Sequence, residues 1–174
     1  MTEATRITPE FSRPLAADSV GTQPVERRIE ANPAEREALA GRFGLLALDR
    51  LEATLELRRD KGDLIRLQGH FLADVVQSCV VSLAPVPAHL EADFETSYSA
   101  SAVETTEEDF DPLGEDAPEP IPGGEIDLGE AVAQQLAVSL DPYPRAPGAA
   151  LPASLEPSGE GNPFAALAAL KKRT

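Results

Sequence analysis

A long alternation of apolar and polar residues between positions 64 and 94 constrains the fold of this chain more than any other feature. From Ile65 to Leu83, every second residue is mostly apolar and the residues between them are mostly polar. Because side chains alternate across a strand, the pattern predicts a long strand with one buried face and one hydrated face. Gly69 lies inside this strand and is predicted to bend it or to form a bulge.

Two prolines mark the end of this strand. Pro85 and Pro87 lack the N–H that a sheet ladder needs, and the alternation resumes after them. We therefore predict a turn at residues 86–89 that joins two antiparallel strands. A third alternating segment at residues 45–58 precedes them, and the glycine-containing residues 59–63 form a predicted hairpin loop. Three strands with short connections predict an antiparallel meander.

Two segments carry helix signals. Asn32 can cap a helix, with Pro33 in its first turn and Glu35 three residues after the cap, which predicts a helix over residues 33–43. Apolar residues recur every fourth position over residues 128–140, and Asp127 precedes them as a cap. The predicted fold class is α+β: an antiparallel sheet of about four to six strands packed by two helices. Whether the sheet curls toward a barrel stays open.

Prolines and glycines cluster outside the alternating segments and divide the chain. The predicted organisation is a flexible N-terminus at residues 1–10, an α+β domain at 11–145, a linker at 146–161 and a short helix at 162–174. The domain contains a predicted disordered acidic loop at residues 103–124. The terminal helix would dock on a partner, or fold back on its own domain, through Phe164, Leu167 and Leu170.

Negative charge is concentrated in one block. The formal net charge is −15, and residues 91–130 contain 14 acids and no base. Such a block repels phosphates and attracts basic proteins, or serves only as a solvated loop. The candidates for contact with a basic partner are Glu104, Glu107, Glu108, Asp109, Asp111, Glu115 and Asp116. The candidates for RNA or partner contact, with surface solubility as the alternative, are Arg27, Arg28, Arg50, Arg58, Arg59, Lys61 and Arg66.

No catalytic, cofactor or metal site is predicted. Cys79, the single cysteine, could pair only with His70 or His89, and His70 lies on the opposite face of the predicted strand. A closed zinc site needs four ligands, which one cysteine and two histidines do not supply. The many carboxylates lie in a proline-rich segment, and no phosphate-binding loop with its lysine occurs. We therefore predict a non-enzyme without a small-molecule substrate.

The chain also lacks a run of apolar residues of membrane-spanning length and a secretory leader. One cysteine cannot form an internal disulfide, which is compatible with a reducing compartment. These observations predict a soluble, cytoplasmic protein without a membrane partner.

Several segments, taken in order, resemble the YceD family of large ribosomal RNA subunit accumulation proteins, in its alphaproteobacterial branch. The resemblance spans nearly the full chain from about Phe11 and is carried by residues 30–40 (EANPAEREALA), 69–73 (GHFLA), 79–94 (CVVSLAPVPAHLEADF), 125–149 (EIDLGEAVAQQLAVSLDPYPRAPGA) and 162–171 (NPFAALAALK).

One position departs from the family pattern. Many members carry C-x-x-C where this chain has Cys79 and Ser82, and they carry further cysteines after a Pro-x-Pro segment that here contains none. If relatives bind zinc at that place, the departure implies that packing has replaced the metal. Cys79 is then expected to be a buried apolar residue.

The resemblance implies a non-catalytic ribosome-biogenesis factor that supports accumulation or processing of the large-subunit (23S) ribosomal RNA. Two mechanisms stay open. In the first, the protein binds a precursor particle through RNA and protein. In the second, it is an acidic adaptor or chaperone for a basic ribosomal protein and does not touch RNA.

Overall fold

The computed structural model describes residues 9–102 and 117–150. These residues form seven strands and two α-helices in the order β1 (Pro14–Ala16), β2 (Val25–Glu30), α1 (Pro33–Phe43), β3 (Ala47–Arg59), β4 (Ile65–Ser78), β5 (Pro85–Ser99), β6 (Glu119–Pro120), β7 (Glu125–Asp127) and α2 (Leu128–Ser139). Most of the predicted acidic loop, residues 103–116, and the whole predicted terminal helix lie outside the described residues.

The strands form two sheets. The larger has the order β2-β3-β4-β5-β6, in which every pair is antiparallel except β5 with β6, and the smaller pairs β1 with β7. Among the described residues the larger sheet ends in two different edge strands and does not close into a barrel. The predicted α+β class, the meander and the number of strands in the main sheet are confirmed.

The core lies between one face of the large sheet and the two helices. Strand alternation puts Leu55 of β3 and Phe71 of β4 on this face, and both are fully buried. Leu39 from α1 and Leu136 from α2 are buried in the same cluster. Burying each such side chain contributes roughly 1.5–3 kcal/mol to folding, so these contacts hold the short helices on the sheet.

The caps predicted from the sequence are formed. The Asn32 side chain accepts a hydrogen bond from the Glu35 N–H at 3.0 Å, and the Glu35 carboxylate accepts one from the Asn32 N–H at 2.8 Å. Glu35 also accepts two hydrogen bonds from the Arg13 guanidinium, at 2.7 and 3.0 Å. Asp127 caps α2 by accepting from the N–H groups of Gly129 and Glu130. Capping therefore also ties the N-terminal segment to α1.

The predicted turn at residues 86–89 is wrong. The connection between β4 and β5 occupies residues 79–84, and both Pro85 and Pro87 belong to β5. On its other side, β5 pairs with β6 only at Tyr98 and Ser99. The prolines therefore lie where β5 is an edge strand, and a missing N–H need not break a ladder there.

The bulge considered at Gly69 is absent, because Gly69 pairs in continuous register with Leu55 and Phe94. The irregularity lies instead in β3, between Leu48 and Arg50. A Cβ atom at position 69 would overlap the Phe94 ring and the end of Leu55. Gly69 therefore serves to admit the Phe94 ring, which also packs at 6.4 Å between ring centroids against Phe71.

No helix in the described part of the chain combines the length and the apolar character needed to cross a membrane.

Two helical glycines provide a matched test of this packing. A Cβ at Gly129, in the first turn of α2, would overlap the Phe11 carbonyl, whereas a Cβ at Gly41 in α1 would meet nothing within 4 Å. We expect Gly129→Ala to lower the free energy of unfolding by about 1–3 kcal/mol through overpacking. Gly41→Ala should raise it by roughly 0.5–1 kcal/mol through helix propensity. Urea unfolding of both variants measures the contrast, and equal effects of the two substitutions would contradict the packing of α2.

Candidate partner-binding surface

The large sheet has a charged face that points away from the core, called here the outer face. It is formed by the residues that alternate with the core positions of β2, β3, β4 and β5. Its carboxylates are Glu26, Glu30, Glu52, Glu56, Asp74, Glu91, Asp93 and Glu95, and its arginines are Arg28, Arg50, Arg58 and Arg66. Eight acids against four arginines make this face acidic overall.

Three of the four outer-face arginines are already engaged in ion pairs. Arg58 and Arg66 lie directly opposite each other, and Asp60 contacts both, at 3.3 and 3.1 Å. Arg66 also contacts Glu95 at 2.5 Å. Arg50 contacts Glu52 on its own strand. Because like charges opposite each other repel, the carboxylates between the arginines stabilise this end of the hairpin.

The remaining predicted basic residues occupy other places. Arg59 points to the core side, where its guanidinium donates to the Val20 and Ala17 carbonyls at 3.0 and 2.7 Å. Arg27 shares the face of Ile29 rather than the outer face and is exposed. Arg28 on β2 and Lys61 in the hairpin loop are exposed and have no ion-pair partner among the described residues. The seven residues therefore do not gather into one basic patch.

Both histidines lie on the outer face and contact carboxylates. His70 Nδ1 is 2.8 Å from Asp93 Oδ1, and His89 Nδ1 is 2.6 Å from Asp74 Oδ1 on the neighbouring strand. His89 belongs to β5, not to a turn. Neither imidazole contacts Cys79, so the described residues contain no thiol–imidazole pair of the kind considered from the sequence.

Cys79 is fully buried, as expected, but its surroundings are polar. Its Sγ accepts hydrogen bonds from the N–H groups of Val81 and Ser82 at 3.4 Å and of Ala146 at 3.3 Å. The Ser82 side chain and these amides lower the pKa of the thiol to about 6. The expectation of a purely apolar cysteine is therefore corrected. No cluster of three or more metal-ligating side chains occurs among the described residues.

The candidate contact residues that were predicted outside the sheet are not among the described residues. The seven candidate acids of the predicted acidic loop, from Glu104 to Asp116, and the three candidate docking residues of the predicted terminal helix all belong to the segments that the structure leaves out. Those assignments therefore stay predictions.

One polar anchor was not foreseen from the sequence. The Asp63 carboxylate, in the hairpin loop after β3, accepts hydrogen bonds from the hydroxyl groups of Ser99 and Ser101, both at 2.7 Å. These bonds lower the pKa of Asp63 to about 2. The loop is thereby fastened to the end of β5, 36 residues away for Ser99. A separation of this size leaves no periodic signal in the sequence.

The thiol of Cys79 gives a pH test of its surroundings. Its pKa is about 6 in the folded protein and about 8.5 in an unfolded chain, so the unfolded state binds more protons between these values. The thiol therefore stabilises the fold increasingly as the pH rises through this interval and loses that contribution as the pH falls through 6. We expect the difference in free energy of unfolding between wild type and Cys79→Ser to grow from pH 6 to pH 9. A constant difference would show that the buried thiol stays protonated.

Comparison with known proteins agrees with the resemblance seen in the sequence. No curated protein and no solved structure matches the chain. The family model described as large ribosomal RNA subunit accumulation protein YceD matches residues 67–171, which is more than half of the chain and includes most of β4 and all of β5 and α2. The chain therefore belongs to the YceD family, whose name ties it to accumulation of the large-subunit ribosomal RNA.

Proposed function

We propose that this protein is a non-catalytic ribosome-biogenesis factor that supports accumulation of the large-subunit (23S) ribosomal RNA by binding a precursor particle. The observation that carries the proposal is the family match over residues 67–171. The fold supports it through a broad charged sheet face, the outer face, which offers contact area without an enclosed reaction site. Several carboxylates of this face contact arginines or histidines.

We expect direct RNA contact to be made by basic residues that have no carboxylate partner among the described residues. Arg27, Arg28 and Lys61 are exposed and have no carboxylate partner among the described residues. Arg50, Arg58 and Arg66 each contact a carboxylate within 4 Å and would have to exchange it for a phosphate. Exchange of an ion-pair partner reduces the net gain from a phosphate contact.

A second candidate function is capture of a basic ribosomal protein without RNA contact. It is favoured by the charge of the outer face, where eight carboxylates outnumber four arginines. A surface of this sign attracts lysine- and arginine-rich polypeptides and speeds their association at low ionic strength.

Gradient sedimentation tests the proposed role. In cells that encode this protein, deleting its gene is expected to lower the ratio of large- to small-subunit ribosomal RNA. A tagged full-length copy should restore that ratio and sediment with large-subunit precursors. A normal ratio in the deletion strain would overturn the proposal. Identification of RNA and protein in the tagged fraction, repeated at raised salt, separates the two candidates. Variants lacking residues 103–116 or 162–174 test whether those segments are needed, because the shorter first deletion leaves β6 in place.

The salt dependence of RNA binding measures phosphate contacts. If the protein binds RNA directly, substituting glutamine for Arg27, Arg28 and Lys61 removes three exposed cations that have no carboxylate partner among the described residues. The slope of log affinity against log salt should then fall by roughly 2 for single-stranded RNA. Arg145→Gln is the control, because Arg145 is exposed and follows Pro144, whose carbonyl bonds the turn at the opposite end of β4. A fall of about 0.7 for Arg145→Gln, the value for one phosphate contact, would indicate non-specific attraction, and an unchanged slope for the triple variant would remove these residues from the RNA contact.

A further inference from the structure

A cleft of about 450 Å³ lies away from the outer face, where the β1–β7 sheet and the first turns of α2 meet the end of β5. Its lining includes Tyr98, Glu119, Glu125, Asp127 and Glu130, and none of the described lining residues is basic. Clefts of this size accommodate a side chain or a small ligand. The sequence analysis assigned no role to this place.

Tyr98 supplies the first sign of a ligand. The residue is 7% exposed, and its hydroxyl has no hydrogen-bond partner among the described residues. Tyr98 lines the cleft together with Glu119 and Asp127, the two carboxylates whose charges act on its hydroxyl. Burial, together with the nearby charges of Glu119 and Asp127, raises the pKa of Tyr98. The phenol therefore stays neutral and presents a donor and an acceptor to the cleft.

The carboxylates of the cleft divide into engaged and available groups. Asp127 accepts hydrogen bonds from Ser12 and from several N–H groups, and Glu130 receives two hydrogen bonds from Arg42, both at 2.8 Å. Glu125 has no partner among the described residues, and Glu119 accepts only a 3.3 Å bond from Thr96. Both are exposed. The cleft thus combines two available negative charges with the hydroxyl of a buried tyrosine that has no hydrogen-bond partner among the described residues.

We propose that this cleft binds an arginine side chain presented by a basic polypeptide, with the guanidinium contacting Glu119 and Glu125 and the Tyr98 hydroxyl accepting one of its hydrogen bonds. A guanidinium has five donors in a planar fork, which suits two carboxylates and a neutral oxygen. Phosphate groups are disfavoured by the same charges. The inference rests on the second candidate function above and adds a contact site for the basic polypeptide outside the outer face.

Calorimetric titration of the full-length protein with an unstructured arginine-rich peptide tests the site. Tyr98→Phe keeps the ring and removes the hydroxyl, and it should weaken binding about 5-fold, as expected for one net hydrogen bond. Glu119→Gln with Glu125→Gln should weaken binding at least about 10-fold, because hydrogen bonds to charged groups contribute more. The glutamates are exposed, so this double variant tests the site even if Tyr98→Phe fails to fold.

Asp18→Asn with Glu37→Gln is the matched control. It removes two exposed carboxylates that lie neither on the outer face nor in the cleft, and it should change the affinity by less than about 2-fold if the cleft is the site. An equal loss in both double variants would show general electrostatic attraction and overturn the proposal, as would peptide affinity unaffected by the cleft variants. Preferential binding of an RNA fragment through the same two glutamates would overturn it as well.

Fluorescence locates the contact independently. The chain has two tyrosines and no tryptophan, and Tyr143 is 72% exposed. In a Tyr143→Phe background all tyrosine emission comes from Tyr98, and saturating peptide should change it. Unchanged emission would place the peptide elsewhere. These measurements need no ribosomal component, so a failed cleft leaves the sedimentation test of the proposed function intact.

Discussion

The register of β3, β4 and β5 is the constraint on which the rest of the molecule depends. Strand side chains have a period of two, so a slip of one residue between these strands would carry Glu56 and Gln68 into the core and expose Leu55 and Leu67. Transfer of so many apolar side chains to water would cost far more than the stability of a typical domain of this size. Phe94 adds a steric restraint, because its ring lies over Gly69 and needs a position without a Cβ. The core and the outer face are therefore two results of one pairing.

Sequence patterns predicted the parts of the fold that are long or locally signalled. The capping box at Asn32 and Glu35 fixed the start of α1, and the alternation predicted the three long strands. Pro85 and Pro87 were misleading because their effect depends on whether a strand has a neighbour on both sides, which only the assembled sheet decides. Strands of two or three residues, such as β6 and β7, are too short for any periodicity. β6 forms where its segment meets the end of β5, and β7 forms by pairing with β1 near the start of the chain.

The candidate site was predictable in its composition but not in its arrangement. An excess of acid was visible in the sequence, and the scattered bases stay candidates for RNA or partner contact, with surface solubility as the alternative. Whether a base is available to a partner depends on pairs such as Arg66 with Glu95, which are 29 residues apart. The polarity around Cys79 depends on the amide of Ala146, 67 residues away. Tyr98 looked like one more apolar position of β5 in the sequence. Only the structure shows that the charges of Glu119 and Asp127 act on its hydroxyl and help to raise its pKa.

The turn between β4 and β5 determines where the segment that follows α2 leaves the described part of the chain. The Val80 N–H donates to the Pro144 carbonyl, and Ala146 donates to Cys79, so the segment that leads into residues 151–174 departs from the Ser78 end of β4. Residues 103–116 are instead inserted next to Tyr98 and Glu119, which lie at the Ile65 end. The 14 residues of β4 separate these two points by roughly 45 Å. Residues 103–116 and residues 151–174 are therefore attached near opposite ends of β4. A single partner that contacts both attachment points must be long enough to span this distance.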